Sequence, residues 1–161
     1  MKEYSAIMEY GNVKLTEHFS FLELCKTDRM ELKKANIQSA KHPAIVRNML
    51  SLSNLLLEPI RTYFGGIPIT INSCYRNLDL NTAIKGSLTS DHMTGSAADF
   101  TIGDLSLTDV IAGIRKSGVI FGQLILEPNW IHLSLPQVGK VFGEVLQCKI
   151  SGGQKQYSRY V

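Results

Sequence analysis

Apolar residues recur at helical spacing in the first half of the chain. Ile45, Met49, Leu52, Leu55, Leu56 and Ile60 form a stripe that predicts a long helix. Pro43 suits its first position, Pro59 should bend or interrupt it, and Gly65-Gly66 ends it. Upstream, Gly11-Asn12 marks a turn. Ser20, with Glu23 as capping-box partner, opens a short helix with Phe21, Leu24 and Cys25 facing inward. Residues 26–42 are polar and lysine-rich, a connecting segment with a helical turn at Met30–Ala35.

After Gly66 the pattern shortens. Ile67–Asn72 and Ala97–Ile102 read as strands. Between them a short helix, capped by Asn77 or Asp79, runs through Ala83 and Ile84 and is stopped by Gly86. A polar loop, Ser87–Gly95, follows. Ser106-Leu107-Thr108-Asp109 is a capping box for a helix reaching Gly118. Phe121–Glu127 and Trp130–Leu135 are strands around a Pro128-Asn129 turn, and Val141–Ile150 is a last strand. From Ser151 the chain is polar and expected to fray. These elements predict an α+β fold: one domain over residues 1–161, its core at about 15–150, with helices packed on one side of a small, mostly antiparallel sheet.

Chemistry concentrates in the polar loop and the second hairpin. His92 and Asp99 stand seven positions apart with small residues between them, so the loop can fold back on itself. Alone, that pair is weak. The hairpin adds an independent constraint. If Pro128-Asn129 is a two-residue loop, Glu127 opposes Trp130 and Ile125 opposes His132, so Glu127, Trp130, His132 and Ser134 share a face. His92, Asp99 and His132 then supply two nitrogens and a carboxylate, the three protein ligands of a catalytic zinc site with one position open. Glu127, a diagonal neighbour of His132, is placed as a general base, provided the register does not slip and leave it an exposed hairpin-end charge. Arg76 and Ser90 can bind a substrate carboxylate, as a charged fork and a hydroxyl donor. Trp130 either walls the site or packs in the core. Asp91 is read as a loop residue, His18 as structural and His42 as a helix-boundary residue.

Composition narrows the field little further. The 161 residues are 44% hydrophobic and 19% charged, as in ordinary globular domains. The net charge of +3 suits an anionic partner such as a cell wall, but no basic run supports nucleic-acid binding. No apolar run approaches membrane-spanning length, so no membrane insertion is expected. Residues 1–10 lack the apolar stretch of a signal peptide. Cys25, Cys74 and Cys148 are scattered and read as reduced core thiols from cytoplasmic synthesis. A monomer is expected.

Three blocks in order, Ser73-x-Tyr75-Arg76, Ser90-x-His92-x-x-Gly95-x-Ala97-x-Asp99 and Trp130-Ile131-His132-Leu133-Ser134, resemble the zinc D-alanyl-D-alanine carboxypeptidases and their phage endolysin relatives. That group shares its fold with the zinc domain of hedgehog signalling proteins. The resemblance spans about residues 15–150, with Leu15–Ser20 similar to the family's entry segment. It implies one zinc on His92, Asp99 and His132, and Arg76 and Ser90 on the substrate carboxylate. It also implies a catalytic carboxylate shortly before the last histidine, where Glu127 is available. Some relatives carry a histidine where this chain has Trp130. The implied function is hydrolysis of peptidoglycan stem peptides, as carboxypeptidase or murein endopeptidase, in a phage endolysin acting at the cell wall. The alternative is a non-catalytic zinc-bearing module that binds peptide or wall.

Overall fold

The protein is described by a computed structural model covering residues 13–161. The turn expected at Gly11-Asn12 lies outside the described residues, as do residues 1–10. Six helices and six strands follow in the order α1 (Phe21–Leu24), α2 (Met30–Ala40), α3 (Pro43–Leu52), α4 (Glu58–Tyr63), β1 (Ile69–Ser73), α5 (Leu78–Ala83), β2 (Ala97–Ile102), α6 (Leu107–Lys116), β3 (Gln123–Leu126), β4 (Ile131–Ser134), β5 (Glu144–Ser151) and β6 (Gln154–Arg159). The strands form one sheet in the order β1-β2-β4-β3-β5-β6. Only β3 with β5 is parallel; the other neighbours are antiparallel, as expected for this α+β fold.

Strand alternation gives the sheet two unlike faces. Ile69, Ile71, Ala98, Phe100, Ile102, Leu124, Ile131 and Leu133 are buried on one face, in the same apolar cluster as Phe21, Met49, Leu52, Leu56, Ile60, Val110 and Ile114 of the helices. The opposite face carries Asp99, His132 and Ile125 in one row, because Asp99 pairs with His132 and His132 with Ile125.

Three sequence expectations change. The segment 26–42 holds a full helix, α2, rather than one turn. Its apolar stripe is weak because a polar side chain anchors it: buried Asn36 donates from Nδ2 to the carbonyls of Cys25 (3.2 Å) and Tyr75 (3.1 Å), and its Oδ1 accepts from the Asn77 N–H (2.8 Å). That anchoring fixes the backbone on both sides of Arg76.

The long helix is interrupted just before Pro59 but resumes and carries on through it. A π-helical turn, Ser53–Leu57, joins α3 to α4, and the Glu58 N–H bonds to the Ser53 carbonyl five residues back. The wider turn accommodates a residue that lacks an N–H and would crowd a regular helical turn. The extra residue advances the apolar stripe, so Leu57 is buried and Leu55, expected inside, is 62% exposed.

α5 ends just before Gly86, the stop read from sequence, and Lys85 there takes a positive φ (58°). Gly86 is needed for closeness, since a Cβ there would collide with the Asn81 side chain.

The chain beyond Ser151, expected to fray, forms β6. Gly152-Gly153, both at positive φ (57° and 77°), close a two-residue hairpin loop between Ser151 and Gln154.

His18 and His42 serve structure, as read from sequence. His18 Nδ1 lies 2.7 Å from Glu58 Oε2, and His42 Nδ1 accepts the Ala44 N–H at the start of α3.

Candidate metal centre

Two neighbouring strands and one turn build the centre. Asp99 in β2 and His132 in β4 face each other directly across the ladder. His92 comes from the loop, on a 3-10 turn spanning Asp91–Thr94 that ends at Gly95 with φ 72°. Asn48 of α3 donates to the Thr94 carbonyl (2.9 Å), and the Arg76 N–H donates to the His92 carbonyl (3.1 Å), so both sides of the turn are tied down.

A side chain at Gly95 would meet Met49 Cγ at 3.0 Å and the Ile45 carbonyl at 3.2 Å. Gly95→Ala is therefore expected to destabilise the fold by about 1–3 kcal/mol, from backbone strain and crowding together. Urea denaturation checks this, and metal affinity should fall with it because the same turn carries His92.

The His92 ring is buried, and its Nδ1–H donates to the Cys74 carbonyl (2.7 Å). That bond fixes the tautomer and leaves Nε2 as a lone-pair donor. Nε2 lies 3.2 Å from Asp99 Oδ1 and 3.1 Å from His132 Nδ1, and His132 Nδ1 lies 2.8 Å from Asp99 Oδ1. Ligands at about 2.0–2.1 Å around a tetrahedral zinc stand about 3.3 Å apart, so this triangle fits the ion closely. These three are the one group of histidine, cysteine and acidic side chains among the described residues arranged to hold a metal.

Burial disfavours charge on His92 and lowers its pKa, which keeps the neutral, ligating form. Burial alone would push the Asp99 carboxyl up, but His92 and His132 together outweigh it and hold Asp99 well below the usual carboxylate range. The donor set is thus two imidazoles and one carboxylate, with the charge that a zinc ion needs.

The triangle opens into a cleft of about 1020 Å³ that also takes in Arg76, Ser90, Glu127, Trp130, Lys155 and Tyr157. The structure therefore brings Arg76, Ser90, Glu127 and Trp130 to the same cleft as His92, Asp99 and His132. The hairpin has the register that the sequence argument required: Ile125 pairs with His132, and the Glu127 N–H donates to the Trp130 carbonyl (3.1 Å). Trp130 lines the cleft rather than the core. Arg76 Nε is buried with no hydrogen-bond partner, a donor left available beside the centre. Its charge is disfavoured by burial and supported by the Asp99 carboxylate. Ser90 lies just before the 3-10 turn and lines the cleft without capping that turn through its side chain. Asp91 also lines the cleft, where it is paired with Lys140 Nζ (2.6 Å) and is not one of the three grouped donors.

Sequence reasoning missed Lys155 and Tyr157. Glu127 is only 6% exposed, and its carboxylate accepts from Lys155 Nζ (2.8 Å, at Oε2) and from the Tyr157 hydroxyl (3.1 Å, at Oε1). The available signal was Gly152-Gly153, a hairpin-turn dipeptide that puts Lys155 and Tyr157 on one face of a returning strand.

Among protein families, the model described as Peptidase M15 matches residues 18–134, a span that contains His92, Asp99, Glu127 and His132 and stops before β5. No curated protein matches the chain. Among the described residues no helix is long and apolar enough to cross a membrane.

Proposed function

The chain belongs to the peptidase M15 family, zinc peptidases of the D-alanyl-D-alanine carboxypeptidase type that act on peptidoglycan, and on that premise we propose that it hydrolyses peptidoglycan stem peptides. It does so as a D-Ala-D-Ala carboxypeptidase or as a murein endopeptidase, in one peptidase domain and in the setting of a phage endolysin. The observation that carries the reading is the donor triangle of His92 Nε2, Asp99 Oδ1 and His132 Nδ1, with sides of 2.8–3.2 Å, at the base of a cleft that also holds Arg76 and Glu127.

His92, Asp99 and His132 would hold the ion. When bound, zinc supplies a Lewis acid that polarises the scissile carbonyl and makes water a nucleophile near neutral pH. The other groups have separate tasks. The Arg76 guanidinium, with Nε unpaired, receives a carboxylate of the stem peptide, and the Ser90 hydroxyl donates to the same group. Trp130 forms a wall against which the peptide is held. Glu127 and His132 are diagonal neighbours across the β3–β4 turn, roughly 7–8 Å apart at the backbone. From there Glu127 takes the proton of the attacking water and returns it to the departing amine. The mildly basic chain, with net charge +3, suits an anionic wall.

Digestion of purified murein by the zinc-loaded protein tests the proposal. Free D-alanine among the products identifies a carboxypeptidase, and stem fragments with new amino termini identify an endopeptidase. Mass spectrometry separates the two. No fragment from any wall type, with one zinc bound per chain, would replace this reading by that of a zinc-bearing module that binds peptide or wall without cutting it.

A further inference from the structure

We infer that Lys155 and Tyr157 are positioning residues for Glu127, so that the C-terminal hairpin completes the active site. The inference rests on the assignment of Glu127 as general base. It concerns a part of the chain outside residues 18–134, the span that carries the family match.

Each oxygen of the Glu127 carboxylate accepts one hydrogen bond, from Lys155 Nζ and from the Tyr157 hydroxyl. The two donors are alternate residues of β6, so they project from one face of that strand. The cross-strand pairs Cys148–Tyr157 and Ile150–Lys155 set this face, and the Gly152-Gly153 loop sets the register. A shift of one residue would turn both donors away from the cleft.

The arrangement differs from a surface ion pair. Every residue of β6 is exposed, yet Glu127 is 6% exposed and needs partners to remain buried as an anion. Lys155 Nζ also stands 5.3 Å from the centre of the Trp130 ring. One ammonium group thus contacts both residues that flank the Pro128-Asn129 turn.

The groups facing Glu127 from the neighbouring strands are Lys155 and Tyr157 of β6 and Cys148 of β5. Burial, and then the Glu127 charge, push the Tyr157 phenol up, which keeps it a donor. Burial and Glu127 also push the Cys148 thiol up, which keeps it neutral. A carboxylate has about four lone-pair sites, so two bonds fix its orientation and leave two sites for a proton in transit. Held in this way, Glu127 needs no rearrangement when substrate arrives.

The test compares the unaltered 161-residue chain with Lys155→Met, Lys155→Arg, Tyr157→Phe, Glu127→Gln and Lys155→Met/Glu127→Gln. Each is zinc-loaded and assayed on soluble muropeptides from a wall type that the unaltered protein digests. Lys155→Met should lower kcat roughly 10- to 100-fold, the cost of a misplaced catalytic group, while KM stays within about two-fold. Lys155→Arg should recover most of the loss, and Lys155→Met should add nothing to Glu127→Gln.

Trp130 is the single tryptophan of the chain, so its emission provides a readout free of metal and turnover. Glu127→Gln should shift that emission when Lys155 is present and not when it is methionine. An unchanged kcat in Lys155→Met, a loss carried by KM, or an emission shift equal in both backgrounds would overturn the inference. If Lys155→Met fails to fold, Tyr157→Phe, which removes a single hydroxyl, decides by the same split of kcat from KM. An inactive Glu127→Gln beside a fully active Lys155→Met overturns this inference alone. A fully active Glu127→Gln overturns the base assignment with it.

Discussion

Glu127→Gln is expected to lower kcat by roughly 10²- to 10⁴-fold, the usual contribution of a positioned general base, with one zinc still bound per chain. Glutamine keeps the shape that fills the buried site but cannot accept and return a proton. The metal ligands are untouched, because none of the three donors leans on Glu127: His92 is oriented by the Cys74 carbonyl, and Asp99 and His132 by the β2–β4 ladder. Folding should suffer little, since the Lys155 side chain is 44% exposed and its ammonium group can turn to water. Glu127→Ala should lose the same activity, with an added small loss of stability from the emptied site. Kinetics on muropeptides, together with zinc content by atomic absorption, separates the chemistry from the metal. Full activity in either variant would remove Glu127 from the mechanism.

The parts of the site that were legible in the sequence are those fixed by local rules. A two-residue loop sets the pairing of its flanking strands, so Pro128-Asn129 alone placed Glu127, Trp130 and His132 on one face. Small residues between His92 and Asp99 signalled a chain that returns on itself, and Gly95 at φ 72° is where it does so. Three motif blocks in order then tied Arg76 and Ser90 to the same place.

What the sequence concealed was held together by other means. β6 reads as a polar tail because each of its residues faces water on at least one side, and no apolar alternation marks it. Its role lies in two polar contacts to a distant carboxylate. Only one turn of α2 was legible, for a related reason, since the Asn36 side chain rather than an apolar stripe pins the helix down. The π turn before Pro59 shifts the helical stripe by one residue, and a periodicity argument assumes no such insertion. For β6 and α2 the deciding interactions are hydrogen bonds between residues far apart in sequence, and for the π turn it is a local bond, Glu58 N–H to the Ser53 carbonyl, of a reach that regular helical patterning does not encode.

Removing Asp99 should have the largest effect on the metal. The ion would be held by two neutral imidazoles and one carboxylate, so Asp99→Ala takes away the site's only negative ligand. Structural zinc sites bind with roughly 10–16 kcal/mol over four ligands, which assigns about 2.5–4 kcal/mol to each, or roughly two to three orders of magnitude in affinity. The loss here should reach the upper end, because the two remaining nitrogens, 3.1 Å apart, keep no counter-charge for a divalent ion. Asp99→Asn separates charge from shape: it retains an oxygen at the same place and should still bind zinc far more weakly than the unaltered chain. Thermal unfolding gives a direct reading, since a ligand that binds only the folded state raises the midpoint with concentration. Added zinc should raise the midpoint of the unaltered protein and leave that of Asp99→Ala unmoved. Because the carboxylate lies opposite His132 in the ladder and not in the helical core, the metal-free variant should still unfold cooperatively. A zinc-dependent rise of equal size in Asp99→Ala would show that the ion binds elsewhere, and the donor triangle would then lose its claim to be the metal centre.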